Sequence, residues 1–428
     1  MTSAGLFTLL ICLLLVVGPP LLDTAAQHVL AQTLIAALFA TAFNLLSGQA
    51  GLLSFGHAAF LGIGAITTLH VMLAAERGAI VFPTPFLPLT GGVASAAFGL
   101  FAGYFATRRS GVYFALVTLA IAELLHSLAP RWDSLFGGEA GLSSMRMPWA
   151  GIGFGTSLEV YYLTFAWTAL SILGLWAYTL TAFGRLTLAL RENEQRALFL
   201  GYDTHRTKVI VFTISAAFSG VAGGLLAVVN ETANYTLFST HVSAQVVLQS
   251  FIGGTMLFLG PALGAAALTL FAFLVSDATR SWLLYQGVLF VLVMLYAPNG
   301  LAGVIAWHVR RWAQVDWREL APPYLLLGVS ALLVGGAFVF VVETMHHLFS
   351  GEYQAARREA GGDFPPFHLF GRGWFPLDPR TWVVPLALAV AGAFGVLRSQ
   401  RLIRLALHRQ TETLGRLTPA LTSRAAPG

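Results

Sequence analysis

The chain has 428 residues, of which 57% are hydrophobic and 10% charged, with a formal net charge of +5 and a mean hydropathy of +0.74. Soluble domains carry about 25% charged residues, so this composition excludes an ordinary soluble protein and points to an integral membrane protein built of packed helices. The positive balance does not indicate nucleic acid, because the basic residues cluster in short loops between apolar runs, where topology explains them. Lys208 is the only lysine and Cys12 the only cysteine, which rules out an intrachain disulfide.

A membrane helix needs about 20 mostly apolar residues. The chain begins with an apolar run at 5–22; no Lys or Arg precedes it, and Gly18-Pro19-Pro20 is a poor cleavage context, so it reads as a retained first span. Further spans are expected at 28–47, 52–74, 88–107, 111–129 and 160–181. Beyond a charged segment come 209–229, 243–259, 261–278, 282–297, 323–342 and 381–398, twelve in all, although one consecutive pair can equally be a single broken helix. The fold class is therefore all-α: a polytopic transmembrane bundle of about ten core helices plus two C-terminal helices.

Arginine placement orients it. With the N-terminus cytoplasmic, Arg108-Arg109, the segment 182–208, His308 to Arg318 and the Arg-rich tail all fall inside. The outer loops also carry arginines, mixed with Glu76, Asp133 and Glu139, and 343–380 holds Arg357, Arg358, Arg372 and Arg380, so orientation is weakest there. The pairs Gly220/Gly224 and Gly260/Gly264 have the small-xxx-small spacing that lets helix backbones approach. Glycine-rich stretches from Gly48 and from Ser250 occupy matching places in the two halves, a faint sign of the internal duplication common in transporters.

Several chemistries are absent. Lys208 follows His205-Arg206-Thr207 and precedes Val209, so no Walker A phosphate loop exists. There is no paired Cys/His metal spacing and no Gly-x-Ser-x-Gly elbow, and His346-His347 reads as an interfacial pair. The expectation is a non-catalytic subunit with no cofactor and no metal.

The segment from Phe183 to Lys208, FGRLTLALRENEQRALFLGYDTHRTK, is the charged exception. The bilayer rejects it. Leu186, Leu190, Ala197 and Leu200 can share one face of a short amphipathic helix, with Glu192 and Arg196 four apart in the favourable order and Gly201 as the stop. Such a helix fits a cleft on a soluble subunit; the plain alternative is a solvated loop.

The stretch GRLTLALRENEQRALFLGYDTHRTKVIVFTISAAFSGVAGGL resembles the coupling loop and following helix of branched-chain amino acid ABC transporter permeases. FNLLSGQAGLLSFGHAAFLGIGA from Phe43, GVYFALVTLAIAELL from Gly111, FIGGTMLFLGPALGAA from Phe251 and VLVMLYAPNGLAGVI near 291–305 resemble the family's other core segments in order. The match covers roughly 28–305 and looks like the larger of the two permease types. It implies a permease core at 1–307 with its coupling loop at 182–208, and an extension at 308–428 with two further helices and an outer loop, DFPPFHLFGRGWFPLDP. It also implies partners: two ATP-binding cassette subunits, a second permease, a periplasmic substrate-binding protein and membrane lipid, in a bacterial inner membrane. The coupling positions carried over are Arg185, Arg191, Glu192, Asn193, Ala197 and Gly201. The family often has Thr-Gly-Gly-x-x-Gly in an outer loop where this chain has Phe136-Gly137-Gly138-Glu139-Ala140-Gly141, so a contact from that Thr does not carry over.

Polar groups within spans need a reason, and they supply the candidate path: Ser54 and His57 at the start of the third span, Tyr113 and Glu123 in the fifth, and Gln245 and Gln249 in the eighth. Glu123 lies roughly 18 Å along its helix at ~1.5 Å per residue, on one face with His126 and Ser127. Each has an ordinary packing alternative. Few charges along the path suit a zwitterionic or neutral solute. The resemblance implies branched-chain or other hydrophobic amino acids, urea or short amides, with an amino acid as the default and selectivity held mainly by the binding protein. The rival reading is an ion-coupled secondary transporter, which needs several mid-membrane ionisable residues where Glu123 is the one clear acid.

Overall fold

The structure is a computed structural model that describes residues 14–311, 317–360 and 363–424. The first half of the expected first span, and Cys12 with it, lies outside the described residues. Helix dominates. The helices are α1 (Thr24–Asn44), α2 (Ala58–Glu76), α3 (Leu87–Ala106), α4 (Val112–Leu128), α5 (Ser157–Leu180), α6 (Ala182–Glu192), α7 (Glu194–Phe199), α8 (Thr204–Asn230), α9 (Thr240–Gly253), α10 (Gly260–Ser276), α11 (Trp282–Tyr296), α12 (Gly300–Arg311), α13 (Trp317–Phe349), α14 (Gly351–Glu359) and α15 (Pro379–Arg424), with a single turn at Asp133–Phe136. Two short antiparallel pairings accompany them, Leu142–Ser143 with Thr232–Ala233 and Phe367–Leu369 with Arg372–Trp374.

Among the described residues eight helices are long and apolar enough to cross a membrane, or nine if the bent pair α11–α12 is one span. Among the described residues the count falls short of the expected spans for a local reason. The expected span 243–259 is helical only to Gly253, whose successor Gly254 takes φ +103, and a helix restarts only at Gly260-Pro261. Fourteen residues reach roughly 21 Å, short of the ~30 Å hydrocarbon core. Similarly, α11 and α12 meet at a 50° bend, where Pro298 removes a backbone donor. The chain divides into two compact units, one of residues 1–277 and 284–309, the other of 278–283 and 310–428.

In the first unit α8 is the central helix, and its small residues set its packing. Gly220 touches both Gly64 and Gly91, and a Cβ at Gly64 would fall 2.3 Å from the Gly220 carbonyl oxygen. Such close backbone approach gives dispersion contact where lipid offers no hydrophobic drive. Helix α1 is capped by Asp23, whose carboxylate accepts the Ala26 N–H, and buries Leu38, Ala40 and Phe43 completely. It ends in a π-helical turn, Leu45–Gln49, and residues 50–57 are then largely irregular before α2 begins. Non-helical backbone at membrane depth must find partners inside the protein. Here the Phe55 N–H donates to Thr118 Oγ1 at 3.3 Å and the Ala58 N–H to Ser243 Oγ at 3.1 Å.

In the second unit α13 and α15 pack with Gly392 and Gly395 against Ser330. The aromatic loop closes on this unit: Phe340, Tyr353, Phe367 and Leu369 form a buried cluster with Phe364 and Trp374 against it. The Tyr353 hydroxyl donates to the Pro365 carbonyl at 2.8 Å. Burial raises the pKa of that hydroxyl above its ordinary value, opposed by the neighbouring Arg357.

Candidate coupling element and solute cavity

The charged segment folds as two helices, α6 and α7, rather than the single helix expected. Asn193 breaks it with φ −161 and ψ 100, and its side chain accepts the Arg196 N–H at 2.9 Å to start α7. An Asn side chain offers the backbone this alternative to continued helix. Glu192 and Arg196 therefore sit on different helices, and no ion pair joins them. Gly201 takes φ +86, the left-handed conformation that ends a helix. Leu190 and Ala197 are buried, as the amphipathic pattern requires, but Leu200 is 71% exposed.

The other coupling positions divide by direction. Arg191 faces the bundle: its guanidinium donates to the Gly48 carbonyl at 2.5 Å and to Met256 Sδ at 2.9 Å. Arg185 lines an open groove of about 930 Å³ between α6 and the start of α8, together with Arg206 and Tyr202. Glu192, Asn193 and Gly201 are exposed. Beside them stands a feature the sequence pattern missed, the apolar knob Leu198, Phe199 and Leu200, with Phe199 87% exposed. Its signal was three consecutive large apolar residues in a segment that already had to lie outside the bilayer. The element is held to α8 by an ion pair between Glu194 and Lys208 at 2.5 Å.

Within the first unit a cavity of about 240 Å³ lies among α1, α2, α8, α9 and α10. Its polar lining is Gln32, Gln245, Gln249 and Thr269; Phe39, Leu61 and other aliphatic side chains supply the rest, and no ionisable residue lines it. Of the path residues read from the sequence, the structure brings Gln245 and Gln249 together here. Gln32 and Thr269 were missed; as polar residues in apolar runs they carry the same signal. Gln32 is fixed by donating to Asn230 Oδ1 at 2.7 Å.

The remaining candidates lie elsewhere. His57 is 1% exposed, packed by Phe39, Phe43 and Phe60, with its Nε2 2.9 Å from Ser219 Oγ and 3.2 Å from Ser215 Oγ. Ser54 is fully buried in the irregular segment before it. Tyr113 is 71% exposed at the start of α4. Glu123 accepts a hydrogen bond from the Thr240 hydroxyl at the first turn of α9, and His126 meets the Tyr235 carbonyl at 3.2 Å rather than pairing with Glu123. Helix α9 is thus held by α4 through Glu123 and by α2 through Ser243, while Gln245 and Gln249 face the cavity.

Comparison with known proteins identifies the family. Residues 25–298 match the family described as "Branched-chain amino acid transport system / permease component". The high-affinity branched-chain amino acid transport system permease proteins LivM of Salmonella typhimurium and Escherichia coli are each 29% identical over 320 residues, covering 69% of this chain and 74% of theirs. A probable branched-chain amino acid transport permease protein, LivH of Methanocaldococcus jannaschii, is 26% identical over 217 residues, 48% of this chain and 65% of its own. No solved structure matches the chain. The sequence motifs, the helix bundle and the match across most of the first unit converge: the chain belongs to the permease-component family of branched-chain amino acid transport systems.

Proposed function

We infer that this multi-pass inner-membrane permease passes branched-chain or other hydrophobic amino acids, or related small amides, from a periplasmic binding protein to the cytoplasm. Its partners are a second permease and two ATP-binding cassette subunits, which hydrolyse ATP while this chain itself is non-catalytic. The observation that carries the reading is the uncharged, amide-bearing cavity with apolar walls, in a bundle whose charged loop also exposes the apolar knob Leu198–Leu200. Amide side chains hydrogen-bond both the carboxylate and the ammonium of a zwitterion without holding it as a fixed charge does. Weak, exchangeable contacts suit a path from which solute must leave.

In this reading residues 1–307 form the core and 308–428 an extension. The α6–α7 element docks on an ATPase subunit through Leu198–Leu200, Glu192, Asn193 and Gly201. Ser54 and His57 hold the irregular segment before α2, Glu123 anchors α9, and Gln245 and Gln249 meet solute. The absence of any acid from the cavity lining disfavours an ion-coupled secondary transporter, which needs one there. The test is ATP hydrolysis by the purified complex with and without amino-acid-loaded binding protein. Stimulation by the loaded form supports the reading; hydrolysis indifferent to it, or failure of ATPase subunits to copurify, overturns it.

A further inference from the structure

Arg191 touches two segments that are remote from it in sequence. One arm of its guanidinium reaches the Gly48 carbonyl at 2.5 Å and the other Met256 Sδ at 2.9 Å. Its stem lies across Gly51, where an added Cβ would stand 3.1 Å from Arg191 Cγ and where φ is +70. These are not arbitrary positions. Gly48 lies in the π-helical turn that ends α1, and Met256 lies in the turn between α9 and α10. The two breaks also touch each other, since a Cβ at Gly48 would fall 2.5 Å from the Thr255 carbonyl oxygen. Above them, α1 carries Gln32 and Phe39 and α9 carries Gln245 and Gln249, opposite walls of the cavity. By contrast the other firm tether, Glu194 to Lys208, reaches α8 alone.

We propose that Arg191 is the positioning residue that joins the docking element to the ends of α1 and α9, so that displacement of α6 moves both cavity walls together. The proposal rests on the ATPase-docking reading above. A helix carries a shift applied at one end to the other, and π-turns recur in helices at functional sites. A planar guanidinium spans two separated acceptors in a fixed geometry, whereas a lysine ammonium gathers its three donors at one point on a flexible stem. Arg191, itself exposed, turns its guanidinium inward, and the contact with the ATPase falls to Leu198–Leu200, Glu192, Asn193 and Gly201.

The experiment uses the whole complex, with both ATPase subunits, the second permease and the binding protein, in proteoliposomes. Solute imported per ATP hydrolysed is measured for wild type, R191A, R191K and M256A. The expected result is an assembled complex whose basal hydrolysis is retained, with import per ATP lowered about ten-fold in R191A, only partly restored in R191K and intermediate in M256A. A merely structural arginine would lower assembly and leave that ratio unchanged. A ratio at the wild-type value in assembled R191A, or full restoration by R191K, overturns the proposal. Should R191A not assemble, R191K decides alone: a lowered ratio supports the proposal and a wild-type ratio overturns it. Wild type separates the two readings, because hydrolysis already independent of loaded binding protein refutes docking itself, whereas coupled wild type with equally coupled variants refutes the role of Arg191.

Discussion

Lys208, the only lysine in the chain, pairs with Glu194 at 2.5 Å, its side chain 7% exposed against 41% for the carboxylate. The pair spans the Gly201 stop and fixes α7 to the first turns of α8. Removing Glu194 leaves a mostly buried ammonium without its partner, while the partial exposure of the carboxylate moderates the loss. Glu194→Ala should therefore cost about 1–3 kcal/mol, read as a lower Tm in detergent. Amine-reactive labelling of Lys208, slow in the native protein, should accelerate in the variant; an unchanged labelling rate would contradict the pairing.

The knob at Leu198–Leu200 predicts a separation of folding from assembly. Phe199→Asp removes a side chain that is 87% exposed, so the isolated permease should keep its Tm. Loss of a central aromatic anchor from a protein interface costs about 2 kcal/mol or more. Copurification of ATPase subunits should fall accordingly; undiminished copurification would show that the knob faces something else.

His57 predicts the reverse pattern. Its ring fills an aromatic pocket and bonds Ser215 and Ser219, and it does not line the cavity. His57→Ala should destabilise by about 2–4 kcal/mol through the cavity left in the aromatic pocket. Its yield and Tm should drop, and whatever folds should show a near-normal KM for uptake. A large KM change at unchanged Tm would place the ring in the path.

Gln245 and Gln249 should behave as solute contacts. With each hydrogen bond contributing about 1 kcal/mol, the double change to Leu should slow uptake about ten- to thirty-fold while leaving assembly intact. Equal rates in variant and wild type would assign the pair to helix packing.

The sequence made the class and the charged segment outside the bilayer legible because bilayer physics is a composition rule: a helix needs a long apolar run, and a charged segment cannot enter. Apolar run length alone placed most core helices within a few residues. The breaks were harder to read. Phe251 to Leu259 is as apolar as a true span, and only Gly253-Gly254 and Gly260-Pro261 mark where helix stops and restarts. Amphipathic periodicity likewise ran straight through Asn193, since it counts faces and ignores a side chain that caps the next helix. At the site, polarity within spans flagged Gln245 and Gln249, which line the cavity, and flagged His57 and Glu123, which do not, equally. What divides them is the partner each meets, Ser219 for one and Thr240 for the other, and those partners lie 162 and 117 residues away. For the same reason Arg191 reads as a docking charge in sequence and faces Gly48 in the fold.

The most direct measurement is the energy source for uptake. Proteoliposomes holding the complete complex, with loaded binding protein outside, should accumulate radiolabelled leucine only when ATP is enclosed, and Phe199→Asp should abolish that accumulation. Uptake by vesicles containing this chain without ATPase subunits, driven by a proton or sodium gradient, would contradict the account.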